Sequence, residues 1–499
     1  MRKNQLSKIL LAVLATTVTT SSWAGEAELE GRIKQLEETL KAMQKQRADQ
    51  DKQLELLTKE LAGVENQLSH SKNLKAEDKP KSKGSPVFAN AKDGLVFDDG
   101  TGDWSLQVNG RIQADYRSID PHEWKNDTWS IRRARLGATY NFLKDFSVRL
   151  EGEYSNTNDG SKSTTALTYG YLDWKHFPGA KVRIGQFKPV FGLERGQSSN
   201  FTDFQEASLA TSSGAVFNST YDRGVMLFGS PLKGLNYNAY WVNGSGQNND
   251  AMQNGKDVGG RVAINFANYF DVNNTVIHAG VSASKNTVQK SSAAVTGNDT
   301  KLSAYTESSS VTSNSIGYTN TTATKFFSTQ AFSDGDVDKT RWGVEAALTR
   351  GPVKFQSEFI TANFDGRDID KDINTWYANV TWLITGESYA AAYKDGVFAR
   401  IQPNNNFNLG QEGWGAIELG LRYSKFDASD FKTMLTAPTA TASYTSEVDA
   451  WTAGAKWIMN PNARILLNYV RTNFDTPIII NSQSSSHENA LTMRAQYDF

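Results

Sequence analysis

The sequence has no cysteine among its 499 residues, so it has no disulfide, no thiolate metal site and no cysteine-linked lipid anchor. It also lacks a second apolar run beyond its first residues, and a hydrophobic content of 38% with a mean hydropathy of -0.51 excludes a bundle of membrane-spanning helices. A dominant sign of charge is missing too: 53 Lys and Arg face 54 Asp and Glu, a formal net charge of -1. No global field favours nucleic acid, and any electrostatic selectivity has to be local. The histidines are few and scattered (His70, His122, His176, His278 and His487), and none sits in a nucleophile or metal motif. Neither an enzyme nor a metal or cofactor site is expected.

What is present begins with Arg2, Lys3 and Lys8 ahead of the apolar stretch 9–18, followed by the small residues Ser22 and Ala24 before Gly25. That order is the pattern of a secretory signal peptide over residues 1–24, too short to span a membrane. Over residues 25–75 apolar side chains recur at alternating steps of four and three, from Leu29, Ile33, Leu36, Leu40 and Met43 to Leu54, Leu57, Leu61, Val64 and Leu68. This spacing predicts an N-terminal periplasmic α-helical coiled coil that self-associates, with polar Arg47 and Gln50 in the seam to fix register. The alternative is a single solvated helix. Residues 76–103 start in the charged, proline-bearing stretch KAEDKPKSKGSP and read as a linker.

From Trp104 the period changes to two. Leu106, Val108, Ile112, Ala114 and Tyr116 alternate with Gln107, Asn109, Arg111, Gln113, Asp115 and Arg117, and the pattern returns in FSVRLEGEY, RVAINF, RWGVEAAL, IELGLRYS, ARILLNY and the closing LTMRAQYDF. Alternation alone fits a soluble sandwich as well as a membrane barrel. Export without disulfides, aromatic pairs near strand ends (Tyr140 and Phe142, Trp451 and Trp457, Tyr497 and Phe499) and connections alternating short and long favour the barrel. The expected architecture over residues 104–499 is all-β: a sixteen-stranded antiparallel transmembrane β-barrel with an aqueous lumen, its outer face against outer-membrane lipid. The last strand then has no free edge, because it pairs with the first near Trp104 to Tyr116. Ending on Phe499 resembles the terminal aromatic common in bacterial outer-membrane barrels.

The parity of the strands also orients the basic residues. Apolar neighbours facing lipid put Arg111, Arg133, Arg135 and Arg149 in the lumen, since a guanidinium at the bilayer midplane costs ~2–4 kcal/mol. Arg132 lies beside them near the start of its strand. Asp115, Glu151, Glu153 and Glu345 share the inward parity and dilute that positive field.

The runs VNGRIQADYR, RRARLGATY, IGQFKPVFGLE, TWLITGES, WGAIELGLRYS and LTMRAQYDF, in this order, resemble the phosphate-selective porin O/P family over essentially everything after the linker. The resemblance implies a homotrimeric outer-membrane channel for small anions such as phosphate or polyphosphate, lined by arginines and lysines and narrowed by an inward third loop. Arg111, Arg132 and Arg133 match that family's pore arginines by position, and Arg195, Ser198 and Ser199 occupy the constriction-loop positions that meet the anion. Alternatively Arg195 pairs with Glu194 or Glu206 and is structural. The sequence departs from the family at 285–340, which holds Lys285, Lys290, Lys301 and Lys325 but no arginine, where strongly phosphate-selective members cluster arginines. A general or weakly selective porin is therefore the alternative function, with the coiled coil tethering the envelope through peptidoglycan or a periplasmic partner.

Overall fold

The computed structural model describes residues 95–98, 102–121, 127–155, 165–217, 219–249, 255–289, 301–308, 324–332, 336–410, 413–480 and 482–499, together with the short strands 87–89, 157–158 and 162–163 and the helical residues Lys34, Glu37, Glu38 and Lys41. The seam residues of the expected coiled coil and the signal peptide lie outside the described residues.

Sixteen long strands form one closed antiparallel ring. In chain order they are β1 (Trp104–Asp120), β2 (Asp127–Phe142), β3 (Phe146–Glu153), β4 (Ala166–Phe177), β5 (Ala180–Phe187), β6 (Asp222–Leu232), β7 (Leu235–Val242), β8 (Asp257–Asn265), β9 (Thr275–Gln289), β10 (Asp336–Arg350), β11 (Val353–Gly366), β12 (Ile369–Leu383), β13 (Ala416–Asp427), β14 (Glu447–Ile458), β15 (Ala463–Ile480) and β16 (Gln483–Asp498). Each pairs with its neighbours in sequence, and β16 closes on β1 from Asn489 opposite Asp120 to Asp498 opposite Arg111. Phe499 completes the seam with two backbone hydrogen bonds to Gly110, each 3.0 Å. Beyond that point the edge of β1 is taken over by a short strand, Leu95–Asp98, paired with Ser105 to Val108. This strand lies within the segment read as a linker.

The burial pattern is inverted relative to a soluble sheet. Along β10, Trp342, Val344 and Leu348 are exposed while Arg341 and Glu345 are buried, and β13 to β16 behave alike. Apolar-out alternation with charge inside fits a wall between lipid and an aqueous lumen, and not a sandwich. No helix among the described residues is long and apolar enough to cross a membrane.

Turns at one end are short, as at 143–145 and 351–352, and the barrel departs from the expected asymmetry at both ends: the opposite end also has two-residue turns at 367–368 and 481–482, and one connection at the short-turn end is long. That connection, 384–415, turns back into the barrel: Tyr389, Ala392, Phe398 and Ile401 pack with Leu193, Val276, Ala347 and Ile458. From the opposite end, residues 188–217, 301–308, 324–332 and 428–446 also turn inward. Leu209, Val216, Phe217, Leu302, Phe326, Phe327 and Phe431 meet Ile360, Phe364, Ile373, Phe426 and Phe474 of the wall in one apolar core. The core is thus inside the barrel, on the side of β9 to β15. That explains why the inward residues of β11 turn from polar (Lys354, Gln356, Glu358) to apolar (Ile360, Ala362, Phe364) along a single strand.

Candidate functional site

Opposite that core, β1 to β4 and the inward connection 188–221 enclose a cavity of about 170 Å³. Seven of the eight residues singled out from sequence line it: Arg111, Arg132, Arg133, Arg135, Arg195, Ser198 and Ser199. Arg149 does not. It lies further along β3, over the Tyr169 ring at 4.4 Å and bonded to Glu151 at 2.7 Å.

Simple alternation would place Arg132 and Arg133 on opposite faces. Pairing between β1 and β2 slips there, with Gln113 opposite Arg133 but Ala114 opposite Ile131, so Arg132 is the extra residue of a β-bulge. A bulge lets two consecutive side chains share a face, and both guanidiniums are buried toward the lumen while Ile131 faces outward. A second bulge between β3 and β4 turns both Thr168 and Tyr169 toward the same cavity.

The inward connection is fixed by specific contacts. The Glu358 carboxylate accepts the Leu193 and Glu194 N–H groups at 2.9 and 2.6 Å, which orients the turn Leu193–Gly196. Gly192 makes this approach with φ 75°, and a Cβ there would collide with that carboxylate. Asp203 is bound by Lys354 and by Asn379 at 3.0 Å. Glu206 receives Arg117 at 2.8 Å, Arg132 at 3.1 Å and Arg494 at 2.7 Å. Burial alone would raise the Glu206 carboxyl, but these arginines overrule it and hold it well below the usual range. Glu194 accepts the Ser208 N–H and hydroxyl and bonds Arg422 at 3.3 Å.

Arg195 therefore does not pair with Glu194 or Glu206. It donates to the backbone carbonyls of Thr211 at 3.1 Å and Ser219 at 2.8 Å, and its guanidinium sits 4.1 Å from the Phe217 ring. Burial, with Arg341 nearby, lowers its pKa to about 10, which leaves it cationic at neutral pH. Arg111 donates to the Ser199 hydroxyl oxygen at 2.8 Å and to Asn200 at 2.6 Å, so the Ser199 hydroxyl hydrogen is left for another acceptor. Ser198 is exposed to the cavity.

The carboxylates sort the cations into two groups. Arg135 is bound by Glu153 at 2.6 Å and Glu151 at 3.3 Å, Arg111 shares Glu151 at 3.6 Å, and Arg132 shares Glu206. Arg133 donates to the neutral Gln113 at 2.8 Å, and Arg195 to carbonyls. A third cation of this kind escaped the sequence reading. Lys188, the residue after β5, donates to the Gln197 carbonyl at 2.9 Å and lines the same cavity. Among the described residues none of these three has a carboxylate within 4.0 Å. A basic residue directly before Pro189 at a strand end was the available signal, but it belongs to no periodic pattern. Cations with unspent charge beside free hydroxyls in a water-filled passage can hold a small anion and release it. Among the described residues no group of three His, Cys, Asp or Glu could hold a metal ion.

Residues 106–499 match the model of a family described as phosphate-selective porin O and P. Porin O of Pseudomonas aeruginosa is 24% identical over 427 residues, 83% of this chain and 93% of that protein. Among solved structures, the anion-selective porin from Comamonas acidovorans aligns over 79% of this chain and 100% of its own, at 11% identity and a TM-score of 0.47. OmpT, an outer membrane protein of Vibrio cholerae, aligns over 80% of this chain and 98% of its own, at 12% identity and a TM-score of 0.46.

Proposed function

Since the chain belongs to the phosphate-selective porin O and P family and is an outer-membrane porin, we propose that it passes small anions by diffusion and selects them at the cavity between β1 to β4 and the inward connection. The observation that carries this reading is the convergence of Arg133 and Arg195, without carboxylate partners among the described residues, on one cavity with Arg111, Ser198 and Ser199. Fixed positive charge in a narrow passage lowers the barrier for anions and raises it for cations.

Phosphate specificity within this reading is modest. Where the connection 290–335 reaches the cavity it contributes Tyr305, Thr306 and Glu307, and no arginine for bidentate binding. Glu307 is itself engaged by Arg422 at 2.7 Å. Phosphate then competes with chloride without excluding it. We also take the working assembly to be a homotrimer, in keeping with the family.

Reversal potentials in a KCl gradient test the assignment. Wild type is expected to prefer chloride, and R133A/R195A to shift toward cation preference with the barrel still heat-modifiable on gels. A wild-type channel that prefers potassium overturns the reading in favour of a general porin, and block of chloride current by micromolar phosphate would overturn the modest phosphate preference.

A further inference from the structure

Resting on the anion-channel reading, the structure points to a residue that sets how strongly the channel selects. We propose that Lys188 is the passage's switchable charge, neutral in the empty pore at the alkaline end of the neutral range and protonated when an anion enters, so that anion binding and proton uptake are coupled.

Lys188 leaves β5 at Phe187 and, with Pro189 behind it, begins the connection that folds into the lumen. Its ammonium has three donors, and the Gln197 carbonyl at 2.9 Å takes one. The charges acting on it are Arg195 from its own connection, Arg111 from β1, and Arg133 and Arg135 from β2. The carboxylates lining the cavity are Glu153, Glu194, Glu206 and Glu307, and each is already engaged, by Arg135, by Ser208 with Arg422, by Arg117 with Arg132 and Arg494, and by Arg422 respectively. The remaining titratable groups of the cavity wall are the phenols Tyr169, Tyr221 and Tyr305. A partly buried ammonium with four guanidiniums around it and no free carboxylate is therefore held in a cationic field.

The two residue types respond differently. A guanidinium cannot shed its proton in a protein, whereas a lysine can. Partial burial and the repulsion of Arg195, Arg133, Arg111 and Arg135 bring Lys188 down to about 7. An anion placed among these groups reverses the balance by favouring the ammonium. Linkage makes the effect reciprocal: whatever factor the anion adds to proton affinity, the proton adds to anion affinity. The arginines supply a permanent preference and Lys188 a graded one, strong below pH 7 and fading above it.

The decisive measurement is the chloride-to-potassium permeability ratio of the full-length channel in planar bilayers, in a KCl gradient from pH 5.5 to 9. Wild type is expected to lose selectivity severalfold across the neutral range. K188R should stay flat at the high level, and K188M flat at the low level, both with wild-type heat-modifiability. A wild-type profile that is anion-selective but flat over this range overturns the proposal without any variant, and so does a step that survives in K188R. A channel that prefers potassium at every pH instead refutes the anion-channel reading itself, which keeps the two failures distinct.

Discussion

Glu206 is the acidic side chain of the inward connection on which three wall arginines converge. It bonds three guanidiniums, Arg117, Arg132 and Arg494, of which Asp115 shares only Arg117 and Arg494, so removing its charge leaves two cations on Asp115 and takes a carboxylate from Arg132. Breaking such a buried network from one side costs about 3–5 kcal/mol. Because Glu206 retains some exposure to the lumen, E206Q is expected near the lower end, at about 3 kcal/mol in urea unfolding followed by tryptophan fluorescence. The pH dependence has a definite sign. A carboxyl held below its ordinary value contributes fully above the unfolded pKa of about 4.3 and loses that contribution as pH falls through the native value. The gap between wild type and E206Q should be complete at pH 7 and close only in acid below about pH 4. A gap unchanged down to pH 2 would show that Glu206 acts by packing and not by charge.

At the scale of elements, the bulge in β2 makes an unusual deletion tractable. Ile131 faces outward and Arg133 inward, so removing Arg132 restores plain alternation and leaves every other side chain of β2 on its present face. The deletion variant is expected to form a heat-modifiable barrel with weaker chloride preference, whereas inserting a residue into β2 outside the bulge should disrupt the barrel. Misfolding of the deletion variant would mean that the bulge is needed for closure. The same element marks the limit of what could be read from sequence. Strand existence, strand number, the seam and the inward parity of Arg111, Arg133, Arg135 and Arg149 were legible, because lipid on one side and water on the other enforce a period of two. Arg132 was placed beside them by its position near the strand start and by family resemblance, not by parity, since a bulge is a break in that period. The placement of Arg195 depends on Glu358, Asp203 with Lys354, and Phe217, contacts between segments far apart in the chain that no local pattern encodes. The inward turn of 384–415 was missed because length alone suggested no direction.

For the whole molecule, the barrel and the expected coiled coil at 25–75 would contribute separately to assembly. The barrel closes its own hydrogen bonds, so deletion of residues 26–75 is expected to leave folded barrels that dissociate more readily in mild detergent, measured by native gel or light scattering. Full-length protein that runs only as a monomer would refute the trimer. The seam between β16 and β1 has a further consequence, for biogenesis. The strand translated first finds one of its partners in the strand translated last, so no partial chain can finish the ring. A growing sheet would expose two unpaired edges to hydrocarbon, each orphaned backbone group costing several kcal/mol. The ring can therefore close only once its final strand has arrived, and closure of this seam completes insertion. A chain that lost its last strand would be an open sheet rather than a smaller barrel, with its first strand left without that partner.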